Sequence, residues 1–191
     1  MTPPKDDASL NRKEQILDAA ATLFAENGYY KTTTAKVAQA VGVTQPYVFH
    51  FFATKESLYL AVLERAYTRI LNAFASVQAP PEELQETMGR AFVELLVEYR
   101  DEILLTMMAY ATPEPVIRDL TRERFEMVYE RVVNRFTQAG LEDAESKASN
   151  FIGHGLLIAL SETLNLPHLC RWREKNPEPF KGLGAPANPE E

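Results

Sequence analysis

The sequence predicts an all-α protein: an N-terminal three-helix helix-turn-helix domain, joined through a long fourth helix to a second helical domain. Three observations predict it. Apolar residues recur at intervals of three and four almost throughout the chain. Alternating β-branched runs, the mark of half-buried strands, are scarce. Hydroxyl residues, glycines and prolines fall where helices start and stop. At 191 residues, 46% hydrophobic and 25% charged, the chain can bury a substantial core.

The first helix is expected near Asn11, with Glu14 three positions on as a capping-box partner. Residues 1–10 then form a disordered N-terminal tail. Ile16, Ala20, Leu23 and Phe24 make one apolar stripe, and Gly28 stops the helix. Thr33 is positioned to cap a second helix with the apolar face Val37, Ala38 and Val41, ended by Gly42. Thr44 is positioned to cap a third, which carries Pro46 in its first turn and runs to about Phe51. Thr54 caps the long fourth helix, whose inner face is Leu58, Val62, Ala66, Ile70 and Phe74. Pro80 and Pro81 mark the clearest break. Four more helices are expected at 82–99, about 101–111, 114–138 and 142–165, the third stopped by Gly140 and the last by Pro167. The reading gives a helix-turn-helix domain at 11–55 and a second helical domain at 56–175. Residues 176–191, rich in Pro and Gly, are expected to be a disordered tail.

Charge is unevenly distributed. The net charge is −7, yet residues 1–65 balance seven Lys/Arg against seven Asp/Glu. From Gly28 to Lys55 there are three lysines, His50 and no carboxylate. Such a segment can meet a polyanion while the acidic remainder keeps the chain in solution. Three lysines are not a dense patch, so charge alone leaves chance equally open.

The turn between the second and third helices says more. Gly42 can adopt the left-handed conformation that turns the chain sharply, and Val43 can plug the corner. A helix-turn-helix of this kind sets its second helix in the major groove of DNA. Base edges then fall to Gln45, Pro46 and Tyr47: Gln can bond adenine bidentately, and Pro and Tyr can touch a thymine methyl. Thr32, Thr33 and Thr44 lie at helix starts, beside free amide N–H groups, and suit phosphate. Lys36, His50 and Lys55 add charge or donors. A plain helical corner shares the same glycine and caps, so spacing alone keeps that reading open.

Residues 12–64, "RKEQILDAAATLFAENGYYKTTTAKVAQAVGVTQPYVFHFFATKESLYLAVLE", resemble the DNA-binding domain of TetR-family transcriptional regulators. The likeness lies in the Ile-Leu-Asp-Ala-Ala…Leu-Phe…Gly-Tyr first helix and the Thr-rich start of the second. It continues through Ala-Val-Gly-Val-Thr, the aromatic cluster and Thr-Lys-Glu-Ser-Leu. The resemblance implies that Gln45, Pro46 and Tyr47 read bases and that Thr33, His50 and Lys55 hold phosphates. Phe49 departs from the family, which commonly offers a tyrosine hydroxyl there. The resemblance also implies a helical C-terminal domain that dimerises and often binds a small molecule. The expected protein is a homodimeric repressor on a near-palindromic operator of double-stranded DNA, released by a small apolar or aromatic effector. The alternatives are a ligand-independent architectural or partner-gated DNA binder, and a helical enzyme or interaction module that keeps the corner as scaffold.

The C-terminal half supplies candidates for both tasks. Phe92, Leu96 and Tyr99 on the fifth helix, Met107, Met108 and Tyr110 on the sixth, and Phe125 and Tyr129 on the seventh could line a pocket. They are also ordinary core formers. On the eighth helix Ser149, Ile152, Gly153, Leu156, Leu160 and Thr163 share a face. Small residues at 149 and 153 permit close approach, and two helices from each of two subunits would make a four-helix bundle. Alternatively the glycines relieve crowding within the chain itself. His154 is expected to be a satisfied core histidine.

No catalytic, cofactor or metal site is expected. There is no nucleophile elbow, HExxH or CxxC, and Cys170 is the only cysteine. His50, His154, His168 and Cys170 show no metal-ligand spacing. The N-terminus lacks an apolar signal segment, and the run "FIGHGLLIAL" is about half a bilayer span. A cytoplasmic protein without a membrane partner is therefore expected.

Overall fold

A computed structural model describes residues 5–170, with side chains described from Leu10 onward. Eight α-helices and two short 3-10 turns make up the described residues, and no strand occurs among them. The expected tail at 176–191 lies outside the described residues, as do residues 1–4.

The first helix, α1 (Lys5–Lys31), starts upstream of Asn11. No Gly or Pro stands between Lys5 and Asn11, so nothing stops the helix from extending back. The capping box expected at Asn11 does not form. Asn11 instead accepts a hydrogen bond from Gln15 at 2.8 Å, and Glu14 turns to Arg65. Gly28 breaks the helix in the left-handed region (φ 73°, ψ 171°), and one more turn continues to Lys31. Ile16, Ala20 and Phe24 are fully buried.

In α2 (Thr34–Val41), Thr33 Oγ1 accepts from the Lys36 N–H at 3.2 Å, as a cap does. Gly42 ends the helix at φ 70°, and the Val43 N–H returns to the Ala38 carbonyl at 2.9 Å. The chain turns there into α3 (Gln45–Phe51). Next comes α4 (Lys55–Ser76), which begins with a capping box. Thr54 Oγ1 accepts from Ser57 N–H at 2.9 Å, and Ser57 Oγ accepts from Thr54 N–H at 3.0 Å. The expected inner face of α4, from Leu58 to Phe74, is buried throughout.

The second half contains α5 (Pro81–Glu98), α6 (Arg100–Met108), α7 (Pro115–Gln138) and α8 (Ala144–Leu164). The end of the expected sixth helix, Ala109–Ala111, tightens into a 3-10 turn before Pro113. A second 3-10 turn, Pro167–Leu169, closes the described chain. The hub is α4, which packs against α1, α5, α6 and α7, while α7 pairs with α8. One continuous hydrophobic cluster runs from Ile16 to Cys170, so the N-terminal helices share a core with the rest.

Charged groups add a junction beside that core. Arg65 on α4 reaches Glu14 at 2.5 Å and Asp18 at 2.8 Å on α1, and also bonds the buried Glu102 on α6. Arg69 approaches Glu102 at 3.4 Å, and Thr22 on α1 donates to Asp101 at 2.8 Å. Burial of Glu102 pushes its carboxyl above the ordinary glutamate range, outweighing the nearby guanidinium groups of Arg65 and Arg69. A carboxyl raised by folding favours the fold fully below its unfolded pKa. That contribution is lost as pH rises through the folded value. The stability of the protein relative to Glu102→Gln should therefore fall as pH climbs from the acid side of the glutamate range towards neutrality. Urea titrations at several pH values measure it; a difference that stays flat would mean burial does not govern this carboxyl.

Candidate functional site

The short helix α3 has two unlike sides. Val48 is fully buried and Phe52, just past its end, is nearly so; together they fasten it to the core. Gln45, Pro46, Tyr47, Phe49 and His50 face outward. Tyr47 is 38% exposed and Phe49 42%, so two large rings stand side by side on this face. Phe51 lies half-buried between the two sides. The Tyr47 ring meets it edge-on at 5.4 Å between centroids, and the His50 ring at 5.2 Å. Phe51 thus fixes the direction of two exposed rings, a role not legible in the sequence, where it reads as one more aromatic in a cluster.

Gln45 is tethered: its Nε2 donates to Thr34 Oγ1 at 2.8 Å, leaving the side-chain oxygen and one N–H for a partner. Thr44 precedes α3 in extended conformation, but its side chain makes no capping bond, contrary to expectation. Only its carbonyl is used, accepting from the Tyr47 and Val48 N–H groups at 3.0 and 3.3 Å. Its hydroxyl is therefore available beside the opening turn.

The expected phosphate contacts divide. Thr33 is exposed, and its hydroxyl proton stays available while the oxygen caps α2. Lys36 is exposed, with Nζ donating to the Lys31 carbonyl at 3.2 Å. Thr32 is a correction. It is fully buried, and its hydroxyl donates to the Leu23 and Gly28 carbonyls, both at 2.9 Å. The Gly28 carbonyl lies at the break in α1, and the Leu23 carbonyl also accepts from Asn27 Nδ2 at 3.0 Å. Lys55 is also drawn inward: Nζ donates to the Tyr29 carbonyl at 3.1 Å and sits 4.3 Å from the Tyr29 ring centroid.

A cavity of about 610 Å³ lies among α4, α5, α7 and α8. Tyr67, Phe74, Phe92, Phe125 and Phe151 supply its aromatic wall. Of the expected pocket residues, Phe92, Met107 and Phe125 line it. Met108 and Tyr110 do not; they border a second groove, of about 1110 Å³, formed by the 3-10 turn with α7 and α8. Leu96 is fully buried in the core, one turn beyond Phe92. Tyr99 stacks under the Arg69 guanidinium at 3.5 Å, at the end of α5 and outside both spaces. Tyr129 is half-buried and borders neither. The sequence missed Tyr67 and Phe74 because they sit on the core-facing side of α4, where spacing cannot tell a wall from a filled interior.

On α8, Ile152 and Leu156 are half-buried and line the cavity, with Leu156 also on the groove. Gly153, Leu160 and Thr163 border the groove and are exposed, as is Ser149 further up the helix. His154 is another correction. It is exposed at the cavity, 3.8 Å from Cys170 Sγ, because the bundle leaves this turn of α8 uncovered. Among the described residues no group of three His, Cys, Asp or Glu could hold a metal ion, and no helix is long and apolar enough to cross a membrane.

A helix-turn-helix whose second helix presents a polar and aromatic face, backed by a larger helical domain, defines a DNA-binding regulator architecture. Residues 16–62 match the family of bacterial regulatory proteins called the tetR family. Over 76 residues the chain is 40% identical to the HTH-type transcriptional repressor Rv1474c of Mycobacterium tuberculosis, covering 40% of each chain. The chain thus spans less than half the length of that curated relative. Among solved structures, a transcriptional regulator from Aquifex aeolicus superposes with TM-score 0.69 at 22% identity, covering 86% of this chain and 96% of the other. The structure of AibR in complex with isovaleryl coenzyme A and operator DNA gives 0.64 at 23%, covering 78% and 85%. Residues 16–62 thus match the tetR family, and the described chain shares its fold with these solved regulators.

The two threonines before α2 and α3 should separate cleanly in experiment. Thr32→Val should cost about 1–3 kcal/mol of stability by removing the hydroxyl donor from the carbonyls at the Gly28 break, with DNA affinity of the folded fraction unchanged. Thr44→Val should leave stability within about 0.5 kcal/mol and weaken DNA binding. Urea unfolding and fluorescence anisotropy on labelled DNA, run on both variants, give the comparison.

Proposed function

We propose that the protein is a homodimeric, DNA-binding transcriptional repressor of the cytoplasm, released from a near-palindromic operator by a small effector. The observation that carries the reading is the outer face of α3: exposed Gln45, Pro46, Tyr47 and His50 on a helix pinned from behind by Val48 and Phe52. The segment from Gly28 to Lys55 holds no carboxylate that would oppose phosphate. Gln45, Pro46 and Tyr47 read base edges. Thr33, Thr44, Lys36 and His50 grip the backbone, with Lys55 and Thr32 holding the domain in shape. Phe49 packs against sugar or a thymine methyl instead of donating to phosphate.

Dimerisation is assigned to α8 and the groove beside it. Leu157, Leu160 and Leu164 are exposed along the helix, an apolar stripe that a second copy would cover. Among the described residues a Cβ on Gly153 would meet no atom of another helix within 4 Å, so the small residue does not make room for those helices. That favours close approach of a partner helix. The two reading helices must then stand roughly 34–36 Å apart, or a multiple of it. The cavity of about 610 Å³ supports an effector site and speaks against a ligand-independent DNA binder, whose second domain would be filled by its own side chains.

The test is fluorescence anisotropy on DNA from upstream of the protein's own gene, at several salt concentrations. Affinity should fall steeply with salt, and Tyr47→Ala should remove about 1–3 kcal/mol of preference for that DNA over random sequence. Equal binding to both DNAs, unmoved by Tyr47→Ala, would sink the assignment of α3 as the reading helix.

A further inference from the structure

The cavity has a chemical polarity that narrows its ligand. Its interior is aromatic: the Phe74 ring lies 5.4 Å from that of Phe151 and 6.4 Å from that of Phe92, and Tyr67 meets Phe125 at 6.2 Å. Gly89 and Gly155 keep space open there; a Cβ on Gly155 would come within 3.7 Å of Phe92. At the mouth, the first two turns of α5 present Glu82, Gln85 and Glu86, with Asn150 and His154 opposite on α8. All five are exposed.

Glu82, Glu86, Gly89 and Phe92 follow one another at intervals of three and four, so one stripe of α5 runs from carboxylates at the mouth to a ring inside. Among the described residues no lysine or arginine lines this cavity. Among the described residues neither Glu82 nor Glu86 has an ion-pair partner. The guanidinium groups of Arg118 and Arg122 border the other groove, and Arg122 is already paired with Asp119 at 3.1 Å. Two carboxylates at the mouth repel an anion and attract a cation, and aromatic ring faces inside add to the attraction.

We infer that the cavity takes a hydrophobic cation: a bulky apolar or aromatic body carrying a quaternary or protonated centre, its body among Phe74, Phe92 and Phe151 and its charge towards Glu82 and Glu86. This deepens the proposed effector site and rests on that reading of the cavity. A phosphate-rich ligand would meet like charge from Glu82 and Glu86 at this mouth.

The experiment pairs two probes of nearly the same size and shape and opposite charge, tetraphenylphosphonium and tetraphenylborate. Both are titrated into the full-length protein by calorimetry. The cation should bind on the order of tenfold tighter than the anion. The double variant Glu82→Gln with Glu86→Gln, both on exposed positions, should lose most of that preference while melting at the wild-type temperature. Gly89→Met, which fills the cavity, should weaken the cation as well. Tetraphenylborate binding as tightly as the cation overturns the inference, and so does an unchanged preference in the double variant or the failure of both probes to bind. Anisotropy on the upstream DNA without any probe keeps the two readings apart. DNA binding without cation selectivity overturns the ligand assignment alone, and cation selectivity without DNA binding overturns the regulator reading alone.

Discussion

Arg65 sits on α4 where α1 and α6 converge, and its guanidinium meets carboxylates from both. Burial works against its charge, and the bonds to Glu14, Glu102 and Asp18 keep it in the charged form. A partly buried cation of this kind tolerates little rearrangement, because losing one carboxylate leaves charge without a partner away from water. The N-terminal helices are thereby held in one orientation on the hub helix. The Thr22–Asp101 hydrogen bond repeats the link between α1 and α6 a short distance away. A shift of α6 along α4 must drag or break contacts to α1, so the two halves cannot move as independent bodies at this junction.

The aromatic side of the same junction works differently. Tyr59 on α4 packs edge-on against Phe24 at 4.8 Å and against Tyr29 at 5.1 Å, and burial raises its hydroxyl to a pKa of about 12. Lys55 closes over Tyr29 from the start of α4. These contacts set the angle at which α2 and α3 leave the core. Val48 and Phe52 then leave α3 only one face to offer, and Phe51 stiffens the rings on that face. Any DNA contact made by Gln45 or Tyr47 inherits its precision from residues that never touch DNA.

The second half combines a cavity and a groove that share Met107, Phe125 and Leu156. These residues form the wall between a proposed ligand and a proposed partner subunit. A ligand that moves Phe125 or Leu156 also alters the groove, and because affinities are linked, a partner that presses on the groove alters the cavity. The two spaces nonetheless differ in lining: Glu82 and Glu86 stand at the mouth of one, and Arg118 with the Arg122–Asp119 pair borders the other.

By itself the sequence determined the local structure. Apolar spacing, Thr33 and Thr54 as caps, and Gly28, Gly42 and Gly140 as stops set most helices within a few residues, because these are short-range effects of backbone and side-chain geometry. The turn between α2 and α3 was legible for the same reason: Gly42, Val43 and Thr44 lie side by side in the chain. Tertiary structure alone decided which threonine is buried. Thr32 and Thr33 look alike in sequence, and only the break at Gly28 gives Thr32 its two carbonyls. It also decided the cavity wall, since Phe92 and Leu96 share a stripe on α5 but meet different neighbours. Arg65 gave no local signal, because its partners lie 51, 47 and 37 positions away. Such contacts depend on how helices cross, and the crossing is set by the whole core rather than by any one stretch of chain.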